Sequence, residues 1–393
     1  MECYRLSALQ CLLHLPRVMN WLLLHDNVQL DANGNTYTSN RCKTNERDEK
    51  SGDLLQVEQK CMACEMKKLV PHYWHRGNHS NVNRDSEVYP APFNPDEPIL
   101  KTIHDIAAED DRFKPQQHTA KDGTTVQVDQ QADAEEWLNY CLEECRAACH
   151  DDDLPGWEAG YRALFQFEFE EDRFCNACDT PIARADDDPS SSFKQPSIGF
   201  TGCVIHRANP GTVADAINDQ MIELPTNGEG IRRNCPTCGS DQLLTRRFRI
   251  DAAPEYMLVK FNPTYDAAPP RSPECKKKPR INLRKITNKN ELPQIDEKLD
   301  LTHCQVDPST KLEYRLVAVL PHNGAVKRGH WIATVRNHPR WYNINDGHVQ
   351  PVTLDFALSN PEVVPTDWNG TEEEKAKDNR EFQVVVLMYA RVR

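Results

Sequence analysis

The chain has 393 residues, 60 acidic against 47 basic, for a formal net charge of −13, and it carries 15 cysteines. That balance sets nucleic-acid binding aside, because phosphate recognition needs a basic footprint; a basic partner surface is the better complement. No apolar run reaches the ~18 residues of a membrane span. The apolar stretch around Leu9 to Leu24 is broken by Gln10, His14, Arg17 and Asn20, with no basic leader ahead of it. The expectation is an intracellular protein, cytoplasmic and/or nuclear, without a membrane partner. In such a reducing compartment, paired cysteines serve metal or catalysis more often than disulfides.

Residues 3–24 have helical spacing at Leu9, Leu12 and Leu13, and Pro16 breaks or kinks the run. Residues 31–53, rich in Asn, Thr and Asp, read as a loop. A second helix is expected over 55–75, with Leu55, Val57, Cys61, Cys64 and Leu69 inward. The polar, proline-bearing stretch 76–96 reads as another loop. Residues 130–150 form an amphipathic helix whose face is Ala134, Trp137, Leu138, Cys141, Leu142 and Cys145. Asp133, Glu135 and Glu136 fall at its start, where the helix dipole favours negative charge.

The pattern changes after residue 160. Phe165, Phe167 and Phe169 alternate with polar residues, as in a strand. A short helix is expected over 212–222, and strands over "LTRRFRI", "EYMLVKF", "EYRLVAVL", "HWIATVR", "RWYNIND" and "EFQVVVLMYARV". A helical first half and a β-rich second half make the class α+β. The basic run 276–285 reads as a nuclear import signal or a solvated strand edge.

Cys175 and Cys178 form one C-x2-C knuckle, Cys235 and Cys238 another. Each turn aims two thiolates at one point, and two knuckles complete a closed tetrahedral sulfur site for structural zinc. The 56 residues between them need secondary structure of their own, so a long β hairpin clipped by zinc is expected. The alternative is two unrelated pairs of core thiols. Cys61 and Cys64 make a third C-x2-C, with His72 and His75 downstream; on an apolar helix face they read as core thiols, with a second metal site as the alternative.

Cys3 opens the first helix, where the dipole favours thiolate. A cysteine nucleophile needs a base and a group that orients the base. Among the 14 histidines, His330 starts a strand after Gly329, and Asn345 and Asp346 end the next strand-like run. Two neighbouring antiparallel strands would set His330 beside Asn345, whose amide can accept the imidazole N–H. The order is Cys, His, Asn. A buried Cys3 with an unrelated surface His is the alternative.

At this point the sequence resembles a ubiquitin-specific protease, a papain-like cysteine protease family of deubiquitinases. "CYRLSALQCLLHLP" is similar to the family's Cys box and "QQADAEEWL" to its Gln box. The paired C-x2-C motifs match its zinc-clipped fingers, and "APEYMLVKFNP" matches a palm strand. "YRLVAVLPHNGAVKRGHWIATVR", "WYNINDGHV" and "VVVLMYAR" match the His box and closing strands. The resemblance covers nearly the whole chain. It implies a single catalytic domain over 1–393, with a helical thumb (1–160), zinc-binding fingers (161–262) and an antiparallel β palm with the His box (263–393).

By that resemblance Cys3 is the nucleophile, His330 the general base, Asn345 the third residue and Asp346 its assistant. Asp133 and Glu136 would bind arginines in ubiquitin's tail. The implied partners are ubiquitin and ubiquitinated proteins, and the implied cofactor is structural zinc on Cys175, Cys178, Cys235 and Cys238. The sequence departs from the family in carrying Leu6 where the Cys box has Asn, and Trp331 where Tyr is usual. The family also carries an Asn five residues before its nucleophile, so the first residues of the domain are expected to lie outside this chain. Two alternatives accompany the enzyme: a catalytically impaired ubiquitin-binding scaffold of the same fold, and a zinc-dependent interaction module.

Overall fold

Pro16 sets the first structural boundary. It cannot donate a backbone hydrogen bond, so it opens a helix rather than sitting inside one. The computed structural model accordingly has α1 (Cys3–Leu13) followed by α2 (Pro16–Leu23). The structure describes residues 3–48, 50–76, 97–119, 125–128, 133–183, 199–203, 205–206, 208–224, 230–262, 264–266, 283–286, 289–325, 328–346, 348–359 and 383–393. The chain falls into two units, Met1–Tyr161 with Ala318–Val384, and Arg162–Val317 with Val385–Arg393.

In the first unit α1 is buried on every side, including its polar residues Arg5, Ser7 and Gln10. Arg5 is accommodated because its Nε donates to Tyr4 Oη at 2.7 Å. The helix α3 (Met62–Arg76) lies beside α2 and α4 (Pro98–Ala107). His14, just past α1, meets Tyr73 Oη of α3 at 3.0 Å, and burial pushes its imidazole down to about 3.

The amphipathic face expected around Trp137 is present. In α5 (Ala134–Arg146), Trp137, Leu138 and Cys141 are fully buried and the helix packs on α1. Burial of each large apolar side chain contributes about 1.5–3 kcal/mol. Trp157, in α6 (Leu154–Phe165), stacks on Trp21 at 4.2 Å between ring centroids and donates Nε1–H to Cys145 O at 2.8 Å.

The unit's sheet is antiparallel. Ala333–Asn337 pairs with Arg340–Asn345 in the register Ala333↔Ile344, and Arg340–Asn345 pairs with His348–Val352. The strand Glu313–Ala325 lines the other side, pairing Ala318 with Val335 and Asn323 with His330.

In the second unit Phe167, Phe169 and Phe200 form an aromatic cluster beside Tyr314. The strand Glu168–Cys175 runs antiparallel to Gly239–Ala252, and Tyr256–Phe261 pairs with Gln383–Arg391. The helix α7 (Val213–Gln220) begins at a reciprocal cap between Thr212 and Asp215. The last helix, α8 (Leu354–Leu358), belongs to the first unit.

Three expectations are corrected. The loop expected over 31–53 contains strands Thr36–Ser39 and Asn45–Arg47, which pair with Asn27–Leu30 and Leu54–Val57. These hairpins bury little, so they lack the apolar alternation that marks a strand. For the same reason Leu55 and Val57 are not helical core; they lie on an exposed strand, and α3 starts only at Met62. Phe165 ends α6, so the alternation of three phenylalanines spans a helix end and a strand start. Of the loop expected over 76–96, Arg76 instead ends α3 and 77–96 lie outside the described residues, as do 276–282 of the basic run; Leu283–Lys285 is a strand paired with Thr264–Asp266.

Candidate active site

Cys3 begins the described part of α1 and is buried. The helix packs against the strands Arg328–Trp331 and Ala333–Asn337, which places Cys3 beside His330. Only glycine fits immediately before that histidine: a Cβ on Gly329 would lie 2.0 Å from Asn323 O and 2.1 Å from His322 Nε2.

Asn345 comes from the neighbouring antiparallel strand, as expected. His330 Nε2 stands 2.6 Å from Asn345 Oδ1. Because the amide oxygen accepts, Nε2 carries the proton, and Nδ1 is the ring's remaining nitrogen. Asp346 occupies the tight connection between Arg340–Asn345 and His348–Val352, with φ of 48°. Asp is among the few non-glycine residues that tolerate this left-handed conformation. Its Oδ2 lies 3.8 Å from His330 Nε2. Burial alone would lower the His330 pKa. Hydrogen bonds with Cys3 and Asn345, with the charges of Cys3 and Asp346, outweigh it and push the imidazole up to about 9.

Asp133 and Glu136 lie at the start of α5, on the unit that carries Cys3. Asp133 caps the helix, its Oδ1 accepting the Glu135 N–H at 2.9 Å. Glu136 is half-buried in the first turn; its neighbour Glu135 is the buried one and accepts from Asn139 Nδ2.

In the second unit, the ligand atoms of Cys175, Cys178, Cys235 and Cys238 all lie within 4.8 Å of one another. Cys178 Sγ and Cys235 Sγ are 3.6 Å apart, close to the ~3.8 Å edge of a tetrahedral zinc–thiolate site. The backbone N–H groups of Thr237 and Cys238 point at Cys235 Sγ, each at 3.4 Å. The expected clipped hairpin is present as the pairing of Glu168–Cys175 with Gly239–Ala252. The intervening chain carries α7 and further short strands. The four sulfurs can hold a metal ion. A second cluster, which the sequence did not assemble, brings His25 and Cys42 to Cys61 and Cys64.

A model of the ubiquitin carboxyl-terminal hydrolase family matches residues 1–389. The chain belongs to that family. Its α+β fold, with a helical region, an antiparallel sheet and β fingers holding a four-cysteine cluster, is that of the family's ubiquitin-specific proteases. The chain is 22% identical to ubiquitin carboxyl-terminal hydrolase Usp2 of Drosophila melanogaster over 246 residues, which is 56% of this chain and 24% of that protein. It thus spans about a quarter of that relative's length. A SAGA DUB module of Ubp8, Sgf11, Sus1 and Sgf73 bound to monoubiquitin has a similar fold, with a TM-score of 0.61 and 15% identity over 100% of this chain and 67% of that one. The same module bound to ubiquitin aldehyde matches with a TM-score of 0.62 and 15% identity, over 100% and 68%. Among the described residues, no helix is long and apolar enough to cross a membrane.

Proposed function

We propose that this hydrolase-family chain is a thiol-dependent deubiquitinase that cleaves the isopeptide or peptide bond after ubiquitin's C-terminal glycine. The observation that carries the reading is the His330 imidazole, set beside Cys3 and held 2.6 Å from Asn345, in a chain matched by the family model from residue 1 to 389. In this mechanism the Cys3 thiolate attacks the glycine carbonyl carbon. The imidazolium of His330 gives its proton to the departing lysine amine as the C–N bond breaks, leaving an acyl-enzyme. The neutral imidazole then takes a proton from water, whose oxygen attacks the thioester and frees Cys3. Asn345 keeps the ring in the orientation both transfers need, and Asp346 favours its charged form.

Cys175, Cys178, Cys235 and Cys238 would hold zinc as a brace for the fingers. Four thiolates leave no open position for water, so that ion takes no part in the chemistry. Asp133 and Glu136 would meet basic residues of ubiquitin's tail, a specific use for part of the negative charge. The reducing cytoplasm and/or nucleus suits a chain that depends on free thiols.

Ubiquitin carrying a C-terminal electrophile tests the reading. A covalent adduct on Cys3, lost in Cys3→Ala and strongly slowed in His330→Ala, is expected. Ubiquitin that binds without forming an adduct would instead identify a non-catalytic scaffold and overturn the enzymatic assignment.

A further inference from the structure

The third C-x2-C does not behave as a pair of core thiols. Cys61 precedes α3 and Cys64 lies in its first turn; of the downstream histidines suggested by spacing, His72 faces Glu97 at 3.0 Å. The structure instead brings them to His25, just beyond α2, and to Cys42, which follows the hairpin formed by Asn27–Leu30 and Thr36–Ser39. One ligand atom from each of the four residues lies within 4.8 Å of all the others. We propose that His25, Cys42, Cys61 and Cys64 form a second metal site, built for a zinc-class ion and independent of the four-cysteine cluster.

The spacings are those of a tetrahedron. Zinc–sulfur bonds of about 2.3 Å and zinc–nitrogen bonds of about 2.0–2.1 Å give edges of about 3.8 Å between sulfurs and about 3.5 Å between sulfur and nitrogen. Cys64 Sγ is 3.6 Å from Cys42 Sγ, and Cys61 Sγ is 3.5 Å from His25 Nε2. The same sulfur–sulfur spacing occurs in the four-cysteine cluster.

The surroundings prepare these groups as ligands. His25 is fully buried and sulfur faces both of its ring nitrogens. Cys149 Sγ lies 3.5 Å from Nδ1, while the Cys149 thiol itself donates to Asn40 O at 3.4 Å. The tautomer that donates Nδ1–H to Cys149 leaves the Nε2 lone pair aimed at the three thiols, the outer-sphere arrangement that orients a metal-binding imidazole. Asn45 Nδ2 donates toward Cys64 Sγ at 3.7 Å, and Thr44 Oγ1 lies 3.2 Å from Cys42 Sγ.

Binding Zn²⁺ would release the three thiol protons to solvent and leave the centre with one net negative charge. Lys67 Nζ, 2.5 Å from His25 O, and Arg47, paired with Asp26 beside His25, supply positive charge nearby. Three sulfurs and one nitrogen select a zinc-like ion over Mg²⁺ or Ca²⁺, which take oxygen.

A metal also answers a local packing problem. Val28, Leu30, Leu55 and Val57 on the two hairpins are exposed, so these strands gain little from apolar burial. One ion would tie the end of α2, the segment after the first hairpin and the start of α3 to a single point. Its role is structural, because the four ligands close the coordination sphere.

The test is metal content and coordination in the full chain purified without chelators. Two zinc ions per chain are expected, one for each cluster. Cys64→Ser or His25→Ala should remove one of them, and Cys178→Ser the other, while His25→Cys should retain both. A wild-type chain with a single zinc that Cys178→Ser abolishes would overturn the proposal. Zinc X-ray absorption on the unsubstituted protein gives a check that needs no variant to fold. Four thiolates at one site and three with an imidazole at the other average to half a nitrogen per zinc; an all-sulfur first shell would overturn the assignment.

Discussion

Replacing Asp346 with Asn separates charge from geometry at the proposed active site. The carboxylate lies 3.8 Å from His330 Nε2, with side chains 38% and 31% exposed respectively, so water screens the pair. At that distance two unit charges interact by about 1 kcal/mol in a water-like dielectric. Exposed pairs are typically worth ~0.2–1 kcal/mol. One pH unit corresponds to about 1.4 kcal/mol, so neutralising Asp346 should lower the His330 pKa by about 0.2–0.7. The sign follows from the charge: the carboxylate stabilises the imidazolium, and without it the proton leaves at lower pH. The imidazole sits at about 9 in the native chain, so kcat/KM should fall on the alkaline side near pH 9. In Asp346→Asn that limb should move to about pH 8.3–8.8, with the plateau little changed. The assay is a pH series of kcat/KM with ubiquitin bearing a C-terminal fluorogenic amide. The Cε1 proton shift of His330, assigned by its loss in His330→Ala, reads the same ionisation without turnover. An alkaline limb that stays in place or moves upward refutes the reasoning.

Removing the orienting amide should act more strongly. Asn345→Ala loses the 2.6 Å hydrogen bond to His330 and should lower kcat about 10- to 150-fold, with KM nearly constant; an unchanged kcat contradicts the role given to Asn345. Asp133 can be dissected because Asn also caps helices. Asp133→Ala should destabilise the chain by about 1 kcal/mol on loss of the cap, whereas Asp133→Asn should preserve the melting temperature yet raise KM for the ubiquitin substrate. An Asn variant with native KM would leave Asp133 as a cap alone. Cys178→Ser should lower both metal content and melting temperature, and native metal content in that variant would dismiss the four-thiolate site.

The sequence by itself determined the elements whose side chains meet a large apolar or chemical requirement. The core face of α5 was legible because Trp137, Leu138 and Cys141 recur at helical spacing and are buried together. The break at Pro16 was legible because proline has no N–H to donate. The four fingers cysteines were legible because two tight turns make local ligand pairs. Asn345 beside His330 followed from antiparallel pairing of adjacent strands.

Tertiary structure decided what depends on long-range closure or on little burial. The exposed hairpins between α2 and α3 left no apolar period, and the polar residues buried in α1 broke the rule that relates polarity to surface. His25 and Cys42 lie far in sequence from Cys61, and no local spacing relates them. Only the packing of α3 against α2 brings their ligand atoms to one point. The side chain of His75 lies outside the described residues, while His72 faces Glu97 at 3.0 Å. Spacing along the chain thus reveals ligands that share a turn. Ligands drawn from separate segments become visible only when the fold has closed the loops between them.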